Sequence, residues 1–484
     1  MINFRQYPNC TKIVIPSDIS LSTTNFSGAF AGMQNLQYLD IDKNIENKID
    51  VISNGSWSGG ICYNCKNLIN TSVCGPNVTS VYRAYDGCTN LTTAVCGDNV
   101  TDMWSAYRNC TSLTTAVCGP NVTDMSDVYN GCTNLTTAVC GDNVTGMCNA
   151  YQKCTNLTTA VCGPNVTDMS GAYYYCTSLT TAVCGPNVTN MYNAYNNCTN
   201  LITAVCGPNV TNMDYVYYNC TNLTTPVCGP NVTNMRGAYD GCTNLTTPVC
   251  GDKVTDMRYA YSNCTNLTTA VCGPNVTSMS GAYSNCTNLT TPVCGPNVTS
   301  VYRAYDGCTN LTTAVCGDKV TDMDNAYTYC TNLTTAVCGP NVTDMGSAYY
   351  KCTNIQGNSY LYSPNVNAVK SCFTGRNTSN MLNIYVQENS TTMNTCLISN
   401  YYSLTGLYIT WTNDSANKRY YNTSANIYIY PVANVYKAEE TAMLQDFTYD
   451  DNNDGTYTLT GWKETYQGKP STEMVIPDSP NIII

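Results

Sequence analysis

Apolar residues recur along most of the chain with a period of 22 residues. In residues 154–175, which read CTNLTTAVCGPNVTDMSGAYYY, the first apolar group is Leu157, Ala160 and Cys162. Their spacing, L-x-x-L-x-L, is typical of a short parallel strand whose spaced side chains point inward in a stacked repeat. We therefore predict one short parallel strand in each unit.

The second apolar group of the unit follows a Gly-Pro turn. Val166, Met169, Ala172 and Tyr173 have spacings of 3, 3 and 1 residues, which predict a short helical or 3-10 turn. Cys176 ends this turn and opens the next unit. Because one unit cannot bury its apolar stripe alone, neighbouring units are expected to stack around a continuous core.

The period predicts a repeat solenoid, a right-handed coil that is capped at both ends. We divide the chain into four segments. These are an N-terminal cap with a divergent repeat (1–60), a regular array (61–356), degenerate repeats with a C-terminal cap (357–435) and a small β-hairpin module (436–484).

The flanking segments lack the strict period but keep strand-like runs. LNIYVQ (382–387), GLYITW (406–411) and NIYIYPV (426–432) are predicted strands of the C-terminal cap. FTYDDNNDGTYTLTGWKE (447–464) predicts a β-hairpin with turn residues at its centre.

The same hairpin carries a weak calcium motif. Asp450, Asn452 and Asp454 have the spacing of the first ligands of a calcium loop. The twelfth position is Gly461, where such a loop needs a bidentate glutamate. We favour a plain hairpin turn and expect no cofactor.

Two cysteines occupy the same two positions of every unit, and these columns hold 27 of the 32 cysteines. Equivalent Cα atoms of stacked strands lie about 4.8 Å apart, which is within disulfide range. Inter-repeat disulfides are thus sterically possible, but we favour reduced thiols that act as small buried hydrophobes. The expected core ladder includes Cys88, Cys96, Cys110, Cys118, Cys154, Cys162, Cys176 and Cys184.

Composition narrows the possible functions. The formal net charge is −11 and only 11% of residues are charged, which argues against nucleic acid and anionic membranes as partners. No apolar run approaches the length of a membrane span. The chain has no histidine, so the Ser-His-Asp and Cys-His arrangements of hydrolases are missing. We expect no catalytic activity.

The unit resembles the BspA-like leucine-rich repeats of microbial surface proteins. The matching stretches are A-Y-x-x-C-T-x-L-T (172–180) and N-V-T-x-M (187–191), repeated over about 60–356. The resemblance implies a leucine-rich-repeat-like coil and an adhesive role. Tyrosine replaces the family's usual phenylalanine after alanine. Because Lys253 and Lys319 occupy the asparagine column of the repeat, we predict that this column is exposed and assign it no buried ladder.

Against this constant framework, a few positions vary freely from unit to unit. They follow the methionine and the tyrosine of each unit and are rich in Tyr, Arg and Trp, which dominate binding hot spots. We interpret them as partner-binding candidates, with unselected surface drift as the alternative. They are Trp104, Arg108, Tyr192, Tyr215, Arg236, Arg258, Tyr259, Tyr302, Arg303 and Tyr350.

These observations predict a structural or adhesive protein displayed outside the cell. The start, MINFRQYPNC, has no secretory signal pattern, which favours a virion component such as a phage fibre or decoration protein. A bacterial cell-surface adhesin is the alternative. A solenoid that recognises its partner through a flat face, such as a threonine face that binds ice, is a distant alternative. Expected partners are a protein or glycan on a cell surface, or further copies of this chain or other virion proteins.

Overall fold

The computed structural model describes residues 3–56, 58–70, 73–433, 435, 447–451, 457–462 and 482–483. Its centre is a stack of coils. Residues of one coil form parallel bridges with the equivalent residues one unit later. One column of bridges joins Asp102 to Asp124, Asp168 to Asn190, and so on from Ser80 to Ala368. The array is therefore a solenoid of stacked coils.

The predicted strand of each unit is largely absent from this array. Between residues 73 and 336 the chain contains isolated bridges, such as Thr137 to Thr159, and no continuous strand. The valine in this segment has both of its backbone groups hydrogen-bonded to a tyrosine side chain. The hydroxyl of Tyr129 donates to the carbonyl of Val117 at 2.6 Å, and the amide of Val117 donates to that hydroxyl at 2.8 Å.

The predicted helical turn is also replaced by another arrangement. Residues 103–110 form successive turns in which Ser105 and Asn109 have φ angles of 52° and 59°. These left-handed residues turn their amides towards the next coil. The N–H of Ser105, for example, donates to the carbonyl of Ser126 at 3.0 Å. A 3-10 helix would keep such amides within the coil. The turn therefore links coils as well as closing them.

The predicted core is confirmed at five of the seven apolar positions of the unit. Leu157, Val166, Met169, Ala172 and Tyr173 are fully buried, whereas Ala160 and Cys162 are half-buried. The tyrosines of this column, one per unit from Tyr85 to Tyr349, stack with ring centroids 5.3–5.8 Å apart, within the preferred range for aromatic pairs.

One cysteine column lies at the centre of this core. Cys132 is fully buried, and its thiol donates to the carbonyl of Tyr107 at 3.1 Å. Cys88, Cys110, Cys154 and Cys176 are buried in the same way. Burial raises the pKa of these thiols well above its usual value. All 32 cysteines are free thiols in this structure.

The second column is only half-buried, contrary to the prediction of a uniform core ladder. Cys96, Cys118, Cys162 and Cys184 lie at the edge of the core. A glycine follows each of them. A Cβ atom at Gly185 would lie 2.9 Å from both the Cys162 sulfur and the Gly163 carbonyl oxygen. The coils therefore approach too closely here for a larger residue.

The asparagine column is exposed, as predicted, but it does form a ladder. The side-chain amide of Asn187 donates to the carbonyl of Pro164 at 2.9 Å, and other units repeat this contact. Lys253 extends the ladder by donating to Asn231 at 2.6 Å. An exposed column can thus still join neighbouring coils.

At the N-terminal end, β1 (Lys12–Ile15) and β2 (Tyr38–Ile41) pair in parallel. The short helix α1 (Lys43–Glu46) follows, and its N-cap residue Asp42 accepts a hydrogen bond from the amide of Asn44. Apolar side chains of this segment, including Phe30, join the core of the array.

The C-terminal end of the array becomes a regular sheet. Its elements are β3 (Val337–Cys338), β4 (Gly357–Leu361), β5 (Leu382–Gln387), α2 (Thr391–Cys396), β6 (Thr412–Asp414), a 3-10 turn (Ser415–Asn417), β7 (Arg419–Asn422) and β8 (Ile427–Val432). The strands lie in the order β3-β4-β5-β8-β7-β6. Neighbours from β3 to β8 pair in parallel, whereas β8 with β7 and β7 with β6 pair antiparallel.

Two of the three predicted cap strands are thus confirmed, as β5 and β8. The prediction of a strand at 406–411 is wrong. The hydroxyl of Ser403 donates to the carbonyl of Leu407 and accepts from its amide, and these two bonds hold a turn there. The strand β6 begins only at Thr412.

Further along, β9 (Phe447–Asp451) pairs antiparallel with β10 (Tyr457–Trp462), which pairs in parallel with β11 (Ile482–Ile483). Among the residues that the structure describes, no helix has the length and apolar character needed to cross a membrane.

Candidate functional site

Four positions of each unit lie on the turn between the methionine and the buried cysteine. They are exposed or half-buried in most units and buried in others, as at Asn196. In the unit that contains Met191 they are Tyr192, Asn193, Asn196 and Asn197. Because the coils stack in register, these positions form four parallel columns, which we call the variable face. The second and fourth columns hold left-handed residues, so asparagine and glycine are frequent there.

The structure places all ten predicted binding residues on the variable face. Tyr192 is 43% exposed and the Arg303 side chain is 51% exposed, whereas the other eight are partly buried. The first column holds Trp104, Tyr192, Arg236, Arg258 and Tyr302. The second column holds Tyr215, Tyr259 and Arg303, and the third holds Arg108 and Tyr350.

Several of these side chains contact one another across coils. Trp104 stacks on Tyr82 with ring centroids 4.9 Å apart. The guanidinium of Arg236 lies 5.7 Å from the centre of the Tyr215 ring, which is the geometry of a cation–π contact. These contacts hold long side chains in place before any partner arrives, so less conformational entropy is lost on binding.

The sequence makes room for the large rings. Tyr215 and Tyr259 are each followed one unit later by a glycine, Gly237 and Gly281. A Cβ atom at Gly237 would lie 2.5 Å from the Tyr215 ring, and one at Gly281 would lie 2.4 Å from the Tyr259 ring. The rings therefore extend over the following coil.

Tyrosines are concentrated near the middle of the variable face. Tyr174 and Tyr175 have ring centroids 4.7 Å apart, and Tyr215 lies 6.3 Å from Tyr192 and 6.2 Å from Tyr218. We call these five residues the tyrosine cluster. Burial, and then the neighbouring phenols Tyr175, Tyr218 and Tyr192, raise the pKa of Tyr174. Tyr174, Tyr175 and Tyr192 line the same groove.

A groove of about 630 Å³ adjoins the cluster. We call it the central groove. It crosses three coils, and its lining combines tyrosine rings with neutral amides and one lysine. The lining residues are Cys148, Asn149, Gln152, Lys153, Ser170, Gly171, Tyr174, Tyr175, Tyr192 and Asn193. Of these lining residues, only Tyr192 was predicted from the sequence to bind a partner.

The missed residues carried a usable signal. Tyr174 and Tyr218 occupy the same column as the predicted Tyr350, and Tyr175 occupies the column of Lys351. What the sequence did not reveal is the lateral packing that gathers them around one groove. Cys148 is half-buried there, and burial followed by the charges of Asp168, Asp127 and Asp124 raises the pKa of its thiol.

Pairs of aspartate and arginine residues lie on the next coils of the variable face. Arg258 forms an ion pair with Asp256 at 2.6 Å. Burial acts to raise the pKa of Asp256, but the hydrogen bonds and charge of Arg258 outweigh it and lower the pKa. Asp214 has its pKa raised by burial, and its carboxylate accepts from the amide of Arg236 at 2.9 Å.

A second aromatic group lies near the end of the array. Tyr329 and Tyr350 meet edge to face at 5.8 Å, and the ammonium of Lys351 lies 5.5 Å from the Tyr329 ring centre. Tyr329 is 45% exposed. This group is smaller than the tyrosine cluster.

The weak calcium candidates receive no structural support. Asn452 and Asp454 lie outside the described residues, as does the side chain of Asp450. Within the described part of the chain, no group of three or more Cys, Asp or Glu side chains is placed to hold a metal ion.

Comparisons with known proteins agree with this architecture. The model of the BspA type leucine rich repeat region matches residues 2–136, 125–246, 193–312, 255–377 and 303–428. No protein of curated function matches the chain in sequence.

Among solved structures, a leucine-rich repeat protein from Bacteroides ovatus is similar, with a TM-score of 0.53 and 16% identity over 64% of this chain and 82% of that one. A leucine rich cell surface protein from Faecalibacterium prausnitzii matches with a TM-score of 0.38 and 18% identity, over 72% of this chain and 87% of that one. The first likeness supports the fold. Since the family model spans nearly all of the repeat array and both of its ends, the chain belongs to the BspA type leucine-rich repeat family.

Proposed function

We propose that this chain is a non-catalytic interaction protein, displayed outside the cell, that binds a partner through its variable face. The observation that carries the proposal is the division of each unit into a constant core and a varying surface. The positions that vary in residue type gather on one face, and their Tyr, Arg and Trp side chains support one another across coils. Such clusters of rigid aromatic and guanidinium groups are typical of binding surfaces.

The shape of the array supports the same function. A solenoid adds binding surface with each unit without changing its core. The stretch at 76–98 recurs unchanged at 296–318, so units that share a core can be exchanged as blocks. Surface residues then change without a cost in packing.

The test compares two sets of substitutions on the purified full-length chain. Tyr192→Ala, Tyr215→Asn and Arg236→Ala together remove large side chains from the variable face. A matched control, Thr159→Ala, Thr181→Ala and Thr203→Ala, alters exposed residues of the opposite segment of the coil. We expect beads coated with the first variant to lose adherence to cells from the habitat of the source organism. Loss in the control alone would place the binding surface elsewhere.

For the route of display, we propose the cell surface, as the family relationship suggests. Display on a virion, as a fibre or decoration protein, is the second candidate. It is favoured by the buried thiols that donate hydrogen bonds to carbonyl groups, an arrangement suited to folding under reducing conditions.

Two measurements separate these routes. Mild protease treatment of intact cells should release fragments of the array if the chain is on the cell surface, and the array should instead copurify with particles if it is on a virion. The intact mass of the natural protein, alkylated with and without prior reduction, shows whether its 32 cysteines are free. Disulfides in the natural protein would contradict folding in the cytosol.

A further inference from the structure

The central groove is a concavity on the variable face. Its volume of about 630 Å³ falls within the roughly 300–1,000 Å³ that is usual for small-molecule sites. Tyr175 and Tyr192 are 40% and 43% exposed at its rim, so parts of both rings are free to contact a ligand. The groove therefore has both the size and the aromatic surface of a binding site.

Two amide side chains in the groove are oriented by their neighbours. The Oε1 atom of Gln152 accepts from Asn130 at 2.7 Å, and the Oδ1 atom of Asn193 accepts from Asn196 at 2.7 Å. Each carbonyl oxygen is thereby occupied, and each NH₂ group is left to donate. A ligand with hydroxyl oxygens would find two fixed donors.

The charge of the groove narrows the ligand class. Lys153 is the one charged side chain among its lining residues, whereas recognition of phosphate or carboxylate groups commonly uses arginine forks or several cations. Neutral amides, a serine and three phenols match neutral hydroxyl groups. Tyrosine rings also present a flat apolar surface on which the C–H faces of a pyranose ring can pack.

An extended peptide is a poorer fit, because the groove offers no free strand edge. The amides of Asn149, Gly171 and Tyr175 already donate to Ser170, Tyr192 and Asn196 in the next coil, each at 2.8 Å. Peptide binding by strand addition requires unpaired backbone groups, and these are paired.

We propose that the central groove binds a neutral oligosaccharide, with Tyr175 and Tyr192 packing against sugar rings and Gln152 and Asn193 donating to hydroxyl groups. This inference rests on the proposed function and names the chemistry of its partner. The ligand is a chain of neutral sugars, presented on a cell surface or free in solution.

The test uses an array of neutral and sialylated glycans, followed by calorimetry with the neutral tetrasaccharide that binds best. Tyr192→Ala should weaken binding at least about tenfold, as loss of an aromatic hot spot does, while Tyr192→Phe should bind like the natural chain. Gln152→Glu keeps the acceptor for Asn130 but removes the donor, and should also weaken binding. Tyr408→Ala removes an 83% exposed ring outside the variable face and should have no effect.

Several results would overturn the proposal: no neutral glycan bound, sialylated glycans bound alone, or equal affinities for the natural chain and Tyr192→Ala. Periodate and trypsin treatment of target cells separates this inference from the proposed function. Adherence that resists periodate but is abolished by trypsin, and that still depends on the variable face, would leave the proposed function standing and refute the oligosaccharide. Adherence unaffected by any change to the variable face would refute the proposed function itself.

Discussion

The hydroxyl of Tyr129 forms two hydrogen bonds with one residue, donating to the carbonyl of Val117 and accepting from its amide at 2.6 and 2.8 Å. This pair repeats along the array, for example between Tyr195 and Val183. The hydroxyl thus bonds to both backbone groups of the valine. The last such pair joins Tyr349 to Val337, which begins the short strand β3, and the next ring of the column is Phe373, which has no hydroxyl.

Tyr129→Phe should destabilise the array although it preserves the buried ring. The amide and carbonyl of Val117 would lose their partner, and a polar backbone group left unsatisfied in a partly buried site costs about 1–3 kcal/mol. Urea denaturation followed by circular dichroism measures the change. Tyr192→Phe removes a hydroxyl from an exposed ring and should leave the unfolding midpoint unchanged. Equal midpoints for both variants would show that the hydroxyl pairing contributes nothing.

Gly185→Ala tests the close approach of the coils at the half-buried cysteine column. The new methyl group would meet the Cys162 sulfur and the Gly163 carbonyl oxygen at 2.9 Å, and overpacking of this kind costs about 1–3 kcal/mol. We expect a lower thermal midpoint. Gly146→Ala is the matched control, because its nearest contact would be the Asp124 carboxylate at 3.4 Å. A drop of the same size in both variants would mean that the cause is not this contact.

The stability of the protein should fall in alkaline solution. Burial raises the pKa of Cys96 to about 12 and that of Cys162 to about 11, whereas an unfolded thiol has a pKa of about 8.5. Above this value the unfolded chain releases protons that the folded chain retains, so ionisation favours unfolding. The contribution is complete below about pH 8.5 and is lost as the pH rises towards the folded values.

Urea midpoints measured under reducing conditions from neutral pH to about pH 10.5 provide the check. We expect a plateau and then a steep decline, since the buried tyrosines such as Tyr129 and Tyr151 also have raised pKa values because of burial. Midpoints that stay constant over this range would contradict the burial of the thiol columns.

The sequence predicted the stack of coils well because the period repeats the same burial pattern in every unit. Leu157, Val166, Met169 and Tyr173 could be assigned inward from spacing alone. The strand could not be judged in that way, because the valine of this segment bonds to a hydroxyl twelve residues further along, and spacing does not reveal such a contact. The left-handed turn was missed because residues such as Tyr175, with a φ angle of 61°, rarely adopt this conformation.

The candidate site shows a similar division. Variation against a constant framework found the variable face, because hot-spot residue types at surface positions are visible in sequence. It did not find the central groove, which depends on side chains from three coils meeting laterally. Gln152 and Asn193 look ordinary in sequence. Only their hydrogen bonds to Asn130 and Asn196 show that their amides are oriented.

The identical stretches at 76–98 and 296–318 allow one substitution to be made in two environments. Arg83 and Asp86 form an ion pair with both side chains 5% exposed, and the guanidinium also lies 5.2 Å from the Tyr63 ring centre. In the second copy, Arg303 is 51% exposed and 3.7 Å from Asp306. The difference arises from the preceding coil, which belongs to the N-terminal end in the first case and to the regular array in the second.

Asp86→Asn should therefore cost far more stability than Asp306→Asn. Removing one partner of a buried ion pair leaves an uncompensated charge and costs about 3–5 kcal/mol, whereas an exposed pair contributes about 0–1 kcal/mol. Hydrogen exchange near each site, read alongside the urea midpoint, would show whether the loss is local to the N-terminal end. Because the two substitutions share the same sequence neighbours, equal losses would mean that sequence, and not the covering coil, sets the strength of the pair.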